Sequence, residues 1–359
     1  MNTTHLLSIF YALILLLLVS TNHTFAQQWE DISQPIFDEI GALDTTQDVL
    51  SRGLGTLMFL PQTGELLAVT NGINHLFVSQ DQGSTWAKVD EAQLSGRCYG
   101  GFSTSYDPET QRYIIFMIAR ADSLSATSLM YSPEEKSFEH FTEPSHVKHD
   151  AWTWGMPDWS GATADVILGK EHHAWVKLWL STDKGQSWQL LDFESRNPGV
   201  INDSIFVAGN DDGMYRSTDQ GKHWEKINTW KVTGKNPIKH KGSFYWTTDQ
   251  GIIASQDQGK TWSLQGELLE GALWGPYFGQ DQHHMMVISP EGFFVTEDSG
   301  KQWQKVVGYF NIPDSNRQGS YNVTHPTNSY GWDWRNGYIY AAGLGGRAYR
   351  FDIKYGSKL

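Results

Sequence analysis

Three features of this sequence predict an all-β fold, a seven-bladed β-propeller whose N-terminal strand closes the last blade. An octapeptide recurs five times, and its last four copies begin at residues 181, 217, 255 and 296, which is 36, 38 and 41 residues apart. About 40 residues make one four-stranded blade. The 359 residues also include 16 Trp, 15 Tyr, 17 Phe and 35 Gly, a composition that favours many short strands joined by tight turns.

The octapeptide has the form S/T-x-D-x-G-x-x-W. The five copies are Ser79–Trp86, Ser181–Trp188, Ser217–Trp224, Ser255–Trp262 and Thr296–Trp303. In a tight turn an aspartate accepts hydrogen bonds from main-chain amides, and glycine supplies the positive φ that the turn requires. We therefore predict that the five aspartates are structural and are not paired acids and bases of an active site.

This octapeptide is the Asp box, and the chain resembles the sialidase-like Asp-box (BNR repeat) β-propeller superfamily over nearly all of residues 27–359. The resemblance implies that the box turns lie on the outer rim and that a ligand binds at the central funnel. It also implies activity on carbohydrates, because the superfamily includes exo-sialidases, other glycoside hydrolases and polysaccharide lyases. Sialidases carry an arginine-Ile/Leu-Pro motif before the first box. Here Arg52-Gly53-Leu54 stands in that stretch, so sialidase activity is not expected.

The blade count follows from the gaps between boxes. The 102 residues between the first two copies hold two blades, with a degenerate box at Tyr131–Phe138. Three strand-like segments follow Trp303, so the seventh blade lacks an outer strand. The segment Gln28–Ile32 reads like the strand after a box, and pairing it there would remove exposed edges.

The N-terminal 26 residues contain no Lys, Arg, Asp or Glu, and Leu6–Val19 is a dense apolar run. We interpret residues 1–26 as a cleaved secretory signal peptide and residues 27–359 as one propeller domain. This predicts a secreted or periplasmic protein. The run is too short for a membrane span of about 20 residues, and it has no cysteine for lipid attachment.

The net charge is −13, which argues against duplex nucleic acid or an anionic membrane as the main partner, since both require a basic face. A local arginine cluster could still hold an acidic sugar. The single cysteine, Cys98, allows no disulfide within the chain. We expect a monomer without a cofactor. We also expect no metal site, because the adjacent histidines His172-His173 and His283-His284 lie on predicted strands, so that the two side chains of each pair point to opposite faces.

The predicted ligand site lies where the innermost strands begin, since the funnel opens there. Arg52 and Arg97 each start an R-x-x-G sequence at matching points of the first two blades. Arginine grips carboxylate or sulfate groups in a bidentate manner, aromatic faces suit sugars, and histidine moves protons near neutral pH. The predicted substrate-binding residues are Arg52, Arg97, Trp152, Trp274 and Tyr277. The predicted catalytic residues are Tyr99, His149, His325 and Tyr330.

Two interpretations of these residues stay open. Each arginine could instead pair with an acidic neighbour, and each aromatic ring could instead fill a junction between blades. At the level of function, we expect a glycoside hydrolase or polysaccharide lyase that acts on an anionic sugar or polysaccharide. The alternative is a non-catalytic binding or assembly propeller, such as those that help to build photosystem II. Those propellers repeat a Gly-Trp-Ala-Val-Gly-like strand that this chain lacks.

Overall fold

The structure is a computed structural model of the chain. It describes residues 29–40, 53–70, 75–89, 104–107, 112–116, 127–132, 137–142, 165–170, 177–183, 185–234, 236–271, 274–308, 329–342 and 346–353. The predicted signal peptide at 1–26 lies outside these ranges. Within the described part of the chain, no helix has the length and apolar character needed to cross a bilayer.

The described residues form short strands and one helix, α1 (Gln34–Ile40). The first strands are β1 (Glu30–Asp31), β2 (Leu54–Phe59), β3 (Leu66–Thr70), β4 (Leu76–Ser79), β5 (Ala87–Lys88), β6 (Thr104–Asp107), β7 (Arg112–Phe116), β8 (Thr127–Ser132) and β9 (Ser137–Thr142). The next are β10 (Ile167–Lys170), β11 (Lys177–Ser181), β12 (Gln189–Glu194), β13 (Asn197–Val200), β14 (Phe206–Asn210), β15 (Gly213–Ser217) and β16 (Glu225–Asn228). The last are β17 (Ile238–His240), β18 (Ser243–Thr248), β19 (Gly251–Ser255), β20 (Ser263–Leu264), β21 (Trp274–Phe278), β22 (Met285–Ser289), β23 (Gly292–Thr296), β24 (Gln304–Val307), β25 (Ser329–Asp333), β26 (Tyr338–Ala342) and β27 (Ala348–Asp352).

These strands pair into antiparallel sheets, six with four strands and one with three. In chain order, sheet 1 is β2–β5, sheet 2 is β6–β9, sheet 3 is β10–β12, sheet 4 is β13–β16, sheet 5 is β17–β20, sheet 6 is β21–β24, and sheet 7 is β25–β27 with β1. Five sheets carry an octapeptide between their last two strands. In sheet 3 the octapeptide joins β11 to β12, so its three strands correspond to the second, third and fourth strands elsewhere. In sheet 2, Ser132 pairs with Ser137 where the degenerate box was predicted.

Sheet 7 is completed by the N-terminal end of the described chain, at the place that the sequence predicted. Glu30 lies opposite Arg350 and Asp31 opposite Tyr349 in an antiparallel pair. The amide of Ile32 continues the pairing by donating to the carbonyl of Ala348 at 2.9 Å. The chain then enters α1, whose Ile36 and Phe37 are buried among residues of sheets 1 and 7. We call residues 29–40 the N-terminal clasp.

Apolar side chains from neighbouring sheets fill the spaces between the sheets. Phe206 of sheet 4 and Trp246 of sheet 5 are both fully buried, and each belongs to a cluster that spans two sheets. Burial on both faces explains why the second and third strands of a sheet are nearly continuous apolar runs, such as Gly251–Ser255 and Met285–Ser289.

The meander within each sheet separates two faces of the molecule. Because successive strands are antiparallel, the turn between strands one and two lies at the same end of the sheet as the octapeptide turn, which joins strands three and four. Hydrogen bonds connect these turns, from Gln220 N to Ser204 O at 3.1 Å and from Ser299 N to His283 O at 3.1 Å. We call this edge the lower face. The innermost strands begin at the opposite edge, the upper face.

Candidate functional site

The octapeptide turns on the lower face share one hydrogen-bond pattern, shown here for sheet 1. The Ser79 hydroxyl donates to Asp81 Oδ1 at 2.8 Å and accepts from the amide of Gly83 at 2.8 Å. Asp81 also accepts from the amide of Thr85 at 2.8 Å and from its hydroxyl at 2.7 Å. Gln82 and Gly83 both have positive φ, as such a tight turn requires. Both carboxylate oxygens are thus occupied within the turn.

The main-chain part of this pattern recurs in the other four copies, where the amide two residues after the glycine donates to the aspartate. A hydroxyl of the same residue also donates to Asp183 and Asp257, whereas the His223 ring contacts Asp219. Hydrogen bonds lower the pKa of every octapeptide aspartate. For Asp257, burial alone would raise the pKa, but hydrogen bonds from Thr261 and Ser255 bring it to about 2. Hydrogen bonds to the ionised form cause such a shift, and a carboxyl held in this way is a poor proton donor near neutral pH. This geometry and the position of the turns on the lower face support the predicted structural role.

Three of the predicted site residues lie together where the inner strands of sheets 6 and 7 begin. The Trp274 and Tyr330 rings have centroids 5.6 Å apart, and Tyr330 lies edge-on to Phe293 at 5.7 Å. Tyr277 packs against the same apolar cluster. Trp274 is 9% exposed and Tyr330 is 7% exposed, so both rings are mostly enclosed by the packing of the two sheets. Burial, and secondarily the neighbouring Tyr330, raises the pKa of Tyr277 well above its usual range.

The other six predicted site residues lie outside the described residues: Arg52, Arg97, Tyr99, His149, Trp152 and His325. Gly53, the neighbour of Arg52, has φ of 66° and immediately precedes β2. The amide of Leu54 donates to Gly346 O at 3.0 Å, which joins the start of the inner strand of sheet 1 to sheet 7. The roles predicted for these residues stay predictions.

One arginine at the start of an inner strand was not among the predicted site residues. Arg196 immediately precedes β13, the inner strand of sheet 4, and lies at the upper face. Its guanidinium contacts Asp211 at 3.0 Å, and the two side chains are 41% and 57% exposed. A signal was present, because Arg196-Asn197-Pro198-Gly199 repeats the R-x-x-G pattern of Arg52 and Arg97.

The glycine of this third R-x-x-G sequence has a packing role. A Cβ atom at Gly199 would lie 2.5 Å from the ring of Pro237, which precedes the inner strand of sheet 5. Glycine therefore lets two inner strands approach closely near the centre of the molecule. Packing therefore accounts for the glycine of the pattern, and the arginine three residues earlier pairs with Asp211.

The sequence predicts that the histidine pair of sheet 6 lies on a strand, and this prediction is wrong. His283 and His284 lie in the turn before β22, because Asp281 accepts from both of their amides. His284 Nδ1 contacts Asp281 at 2.9 Å, and His283 Nδ1 contacts the Ser299 hydroxyl. Within the described ranges, no three His, Cys, Asp or Glu side chains come together as metal ligands.

No family model matches the chain, and no curated protein matches it. Among solved structures, YCF48 bound to a D1 peptide is 15% identical, with a TM-score of 0.46, over 92% of this chain and 99% of that one. The GH74 enzyme of Niastella koreensis is 12% identical, with a TM-score of 0.51, over 84% of this chain and 52% of that one. An oligogalacturonate lyase in complex with manganese is 12% identical, with a TM-score of 0.52, over 83% of this chain and 88% of that one. The last two similarities assign the β-propeller fold to this chain.

Proposed function

We propose that this protein is a secreted, seven-bladed propeller of the Asp-box type that acts on an anionic saccharide at its upper face. The reaction would be hydrolysis or elimination of a glycosidic bond. The fold is shared with a GH74 enzyme and an oligogalacturonate lyase. The name of the lyase specifies an anionic sugar chain as its substrate. Fold alone does not fix a reaction, so the proposal depends on the residues at the upper face.

The observation that carries the proposal is Arg196. It starts the third copy of R-x-x-G and lies where an inner strand begins. Its contact with Asp211 joins two half-exposed side chains, and such surface pairs contribute little to stability. A ligand carboxylate could displace Asp211 and form a bidentate pair with the guanidinium. An acidic protein needs such local arginines to hold an acidic ligand.

The proposed chemistry assigns the arginines to the ligand carboxylate. In an elimination, that contact neutralises the uronate carboxylate, and a tyrosine or histidine removes the adjacent proton and protonates the leaving oxygen. Tyr99, His149, His325 and Tyr330 are the residues proposed for this proton transfer. Arg52, Arg97, Trp152, Trp274 and Tyr277 are proposed to bind the sugar beside Arg196.

The test is a screen of the purified protein against acidic polysaccharides. Reducing ends report hydrolysis and elimination, and absorbance of unsaturated products reports elimination alone. Arg196→Gln should lower turnover or affinity about tenfold or more, as the loss of a charge-assisted hydrogen bond predicts. Its matched control is Arg335→Gln, because Arg335 lies at the lower face and donates to Pro61 O. Equal activity of both variants and the parent would contradict the role of Arg196.

The second candidate function is a non-catalytic saccharide-binding or assembly propeller. It is favoured by the burial of Trp274 and Tyr330, which places both rings in the packing between sheets 6 and 7. The same screen separates the two candidates. Affinity for an acidic saccharide that depends on Arg196, without product from any substrate, would support the binding module.

A further inference from the structure

A groove of about 480 Å³ lies between sheets 4 and 5, on the outer part of the molecule. One side is formed by β15, β16 and the octapeptide turn of sheet 4, including Arg216, Asp219 and Glu225. The other side is the octapeptide turn of sheet 5, through Lys260 and Thr261. Its volume is typical of small-molecule sites, which range over about 300–1,000 Å³. The groove is separate from the inner-strand starts.

The groove contains two cationic side chains, Arg216 and Lys260, that form no ion pair within the described residues. Arg216 donates through Nε to the carbonyl of Gln258 at 3.2 Å, and its terminal nitrogens have no further partner among the described residues. The Lys260 ammonium likewise makes no ion pair within the described part of the chain. Glu225 lies opposite Arg216 in the strand register, yet its carboxylate contacts neither cation.

At the junction of sheets 7 and 1, an arginine at the equivalent position binds a carboxylate. Arg350 matches Arg216, because it donates to the carbonyl of Gln82 at 2.9 Å, the same octapeptide position as Gln258. The Glu30 carboxylate grips Arg350 in a bidentate manner at 2.8 and 3.0 Å. The Ser84 hydroxyl accepts a further bond from Arg350 at 3.3 Å.

Lys260 in the octapeptide of sheet 5 holds the same position as Ser84 in the octapeptide of sheet 1. It therefore places a positive charge where the junction of sheets 7 and 1 has a hydroxyl that accepts a hydrogen bond. A second cation in the same groove favours a ligand carboxylate over a hydroxyl. The hydroxyl of Thr218 and the carboxylates of Asp219 and Glu225 lie around the same groove. Interleaved donors and acceptors suit a polyhydroxylated ligand that carries one anionic group.

We propose that this groove is a second binding site, outside the funnel, for a uronate residue of an acidic saccharide. The carboxylate lies between Arg216 and Lys260, and Glu225 is its competitor within the chain. The choice of a saccharide rests on the proposed function, whereas the anion-binding groups stand on their own geometry. A sulfate ester offers similar chemistry, so the experiment includes one.

The experiment is isothermal titration calorimetry of the full chain with digalacturonate. Galactobiose is the neutral control, and galactose 6-sulfate is the probe for a sulfate ester. Arg216→Gln and Lys260→Gln should each weaken digalacturonate binding at one site about tenfold, and Glu225→Gln should tighten it. The matched control is Lys301→Gln, because Lys301 holds the same octapeptide position in sheet 6 and does not line the groove.

The outcomes separate this site from the funnel. Binding that is lost in Arg196→Gln and unchanged in Arg216→Gln would overturn the groove proposal and leave the funnel intact. Binding lost only in Arg216→Gln would support the groove and contradict the funnel. Equal binding of galactobiose, or weaker binding by Glu225→Gln, would overturn the assignment of a carboxylate ligand. Binding of the sulfate alone would replace the uronate with a sulfated sugar.

Discussion

The junction of sheets 7 and 1 and the junction of sheets 4 and 5 use the same octapeptide turn in different ways. In sheet 5, the Trp262 indole nitrogen donates to Gly259 O within its own turn, at 3.0 Å. In sheet 1, the Trp86 indole nitrogen donates instead to Ile32 O of the N-terminal clasp, at 2.7 Å. Arg350 and Arg216 differ similarly, because only Arg350 holds a carboxylate.

The difference shows that the octapeptide is a fixed turn with an adaptable outer contact. The internal bonds of Ser79, Asp81 and Thr85 repeat without change in Ser255, Asp257 and Thr261. What changes is the neighbouring sheet. In sheet 1 the tryptophan of the turn binds the separate N-terminal clasp, whereas in sheets 4 and 5 Trp224 and Trp262 each donate to the glycine carbonyl of their own turn.

The largest expected effect tests whether the clasp belongs to the cooperative core. Phe37 of the clasp and Phe206 of sheet 4 are each at most 1% exposed. Truncation of a buried phenylalanine costs about 3–5 kcal/mol, so Phe37→Ala and Phe206→Ala should destabilise the protein alike. Urea unfolding measures both. A much smaller loss for Phe37→Ala would mean that the clasp opens locally before the rest of the protein unfolds.

The next effect compares the two arginines directly. Arg350→Gln should lower the free energy of unfolding by about 2–3 kcal/mol, because it breaks a bidentate contact with Glu30 and a bond to Gln82 O. Arg216→Gln should cost less than about 1 kcal/mol, because it breaks one bond at the surface. Thermal unfolding of the two variants checks this order. Equal losses would show that the groove between sheets 4 and 5 already satisfies Arg216 in solution.

A third effect concerns the close approach of the clasp to the first octapeptide turn. A Cβ atom at Gly83 would lie 2.8 Å from Ile32 Cβ, whereas one at Gly242 would meet nothing within 4 Å. Both glycines have positive φ. Gly242→Ala should therefore cost about 1 kcal/mol of backbone strain, and Gly83→Ala about 2 kcal/mol because it adds a clash. A shift in melting temperature that is the same for both would argue against the clasp contact.

The repeated parts of this molecule could be predicted from sequence, since each octapeptide encodes its own turn. The closing strand was also predictable, because Trp29–Ile32 resembles the segment after a box and β1 does pair with β27. Helix α1 was not predicted, because its seven residues carry too short a pattern, and only Ile36 and Phe37 are buried.

The site was predictable only in part, for a physical reason. Side chains at the upper face come from connections that differ in length and sequence from sheet to sheet, so no repeat fixes their positions. Trp274, Tyr277 and Tyr330, which were predicted as site residues, pack in or against one apolar cluster, and their roles stay predictions. Arg196 was not predicted although its R-x-x-G sequence matches the other two copies, because it lies only eight residues after an octapeptide, in a short connection that carries no other signal of a ligand site.

The smallest expected effect tests whether the turn aspartates stabilise the fold through local hydrogen bonds or, like exposed carboxylates, through charge. Asp257 has a folded-state pKa of about 2, below the usual value near 4, because of hydrogen bonds within its turn. A depressed carboxyl pKa stabilises the folded state at a pH above the unfolded value, and this contribution is lost as pH falls towards the folded value. Asp257→Asn should therefore cost about 1 kcal/mol at pH 7, and the difference from the parent should shrink between about pH 4 and pH 2.

The control for that effect is Asp192, whose pKa is lowered by its pair with the Lys177 ammonium at 2.7 Å. That carboxylate is exposed, so salt screens its interaction, whereas the bonds around Asp257 are local and short. Urea unfolding at low and high sodium chloride should reveal the distinction. The effect of Asp192→Asn should disappear in high salt, and that of Asp257→Asn should persist. An equal loss of both effects in salt would mean that the octapeptide carboxylate acts through long-range charge and not through the geometry of its turn.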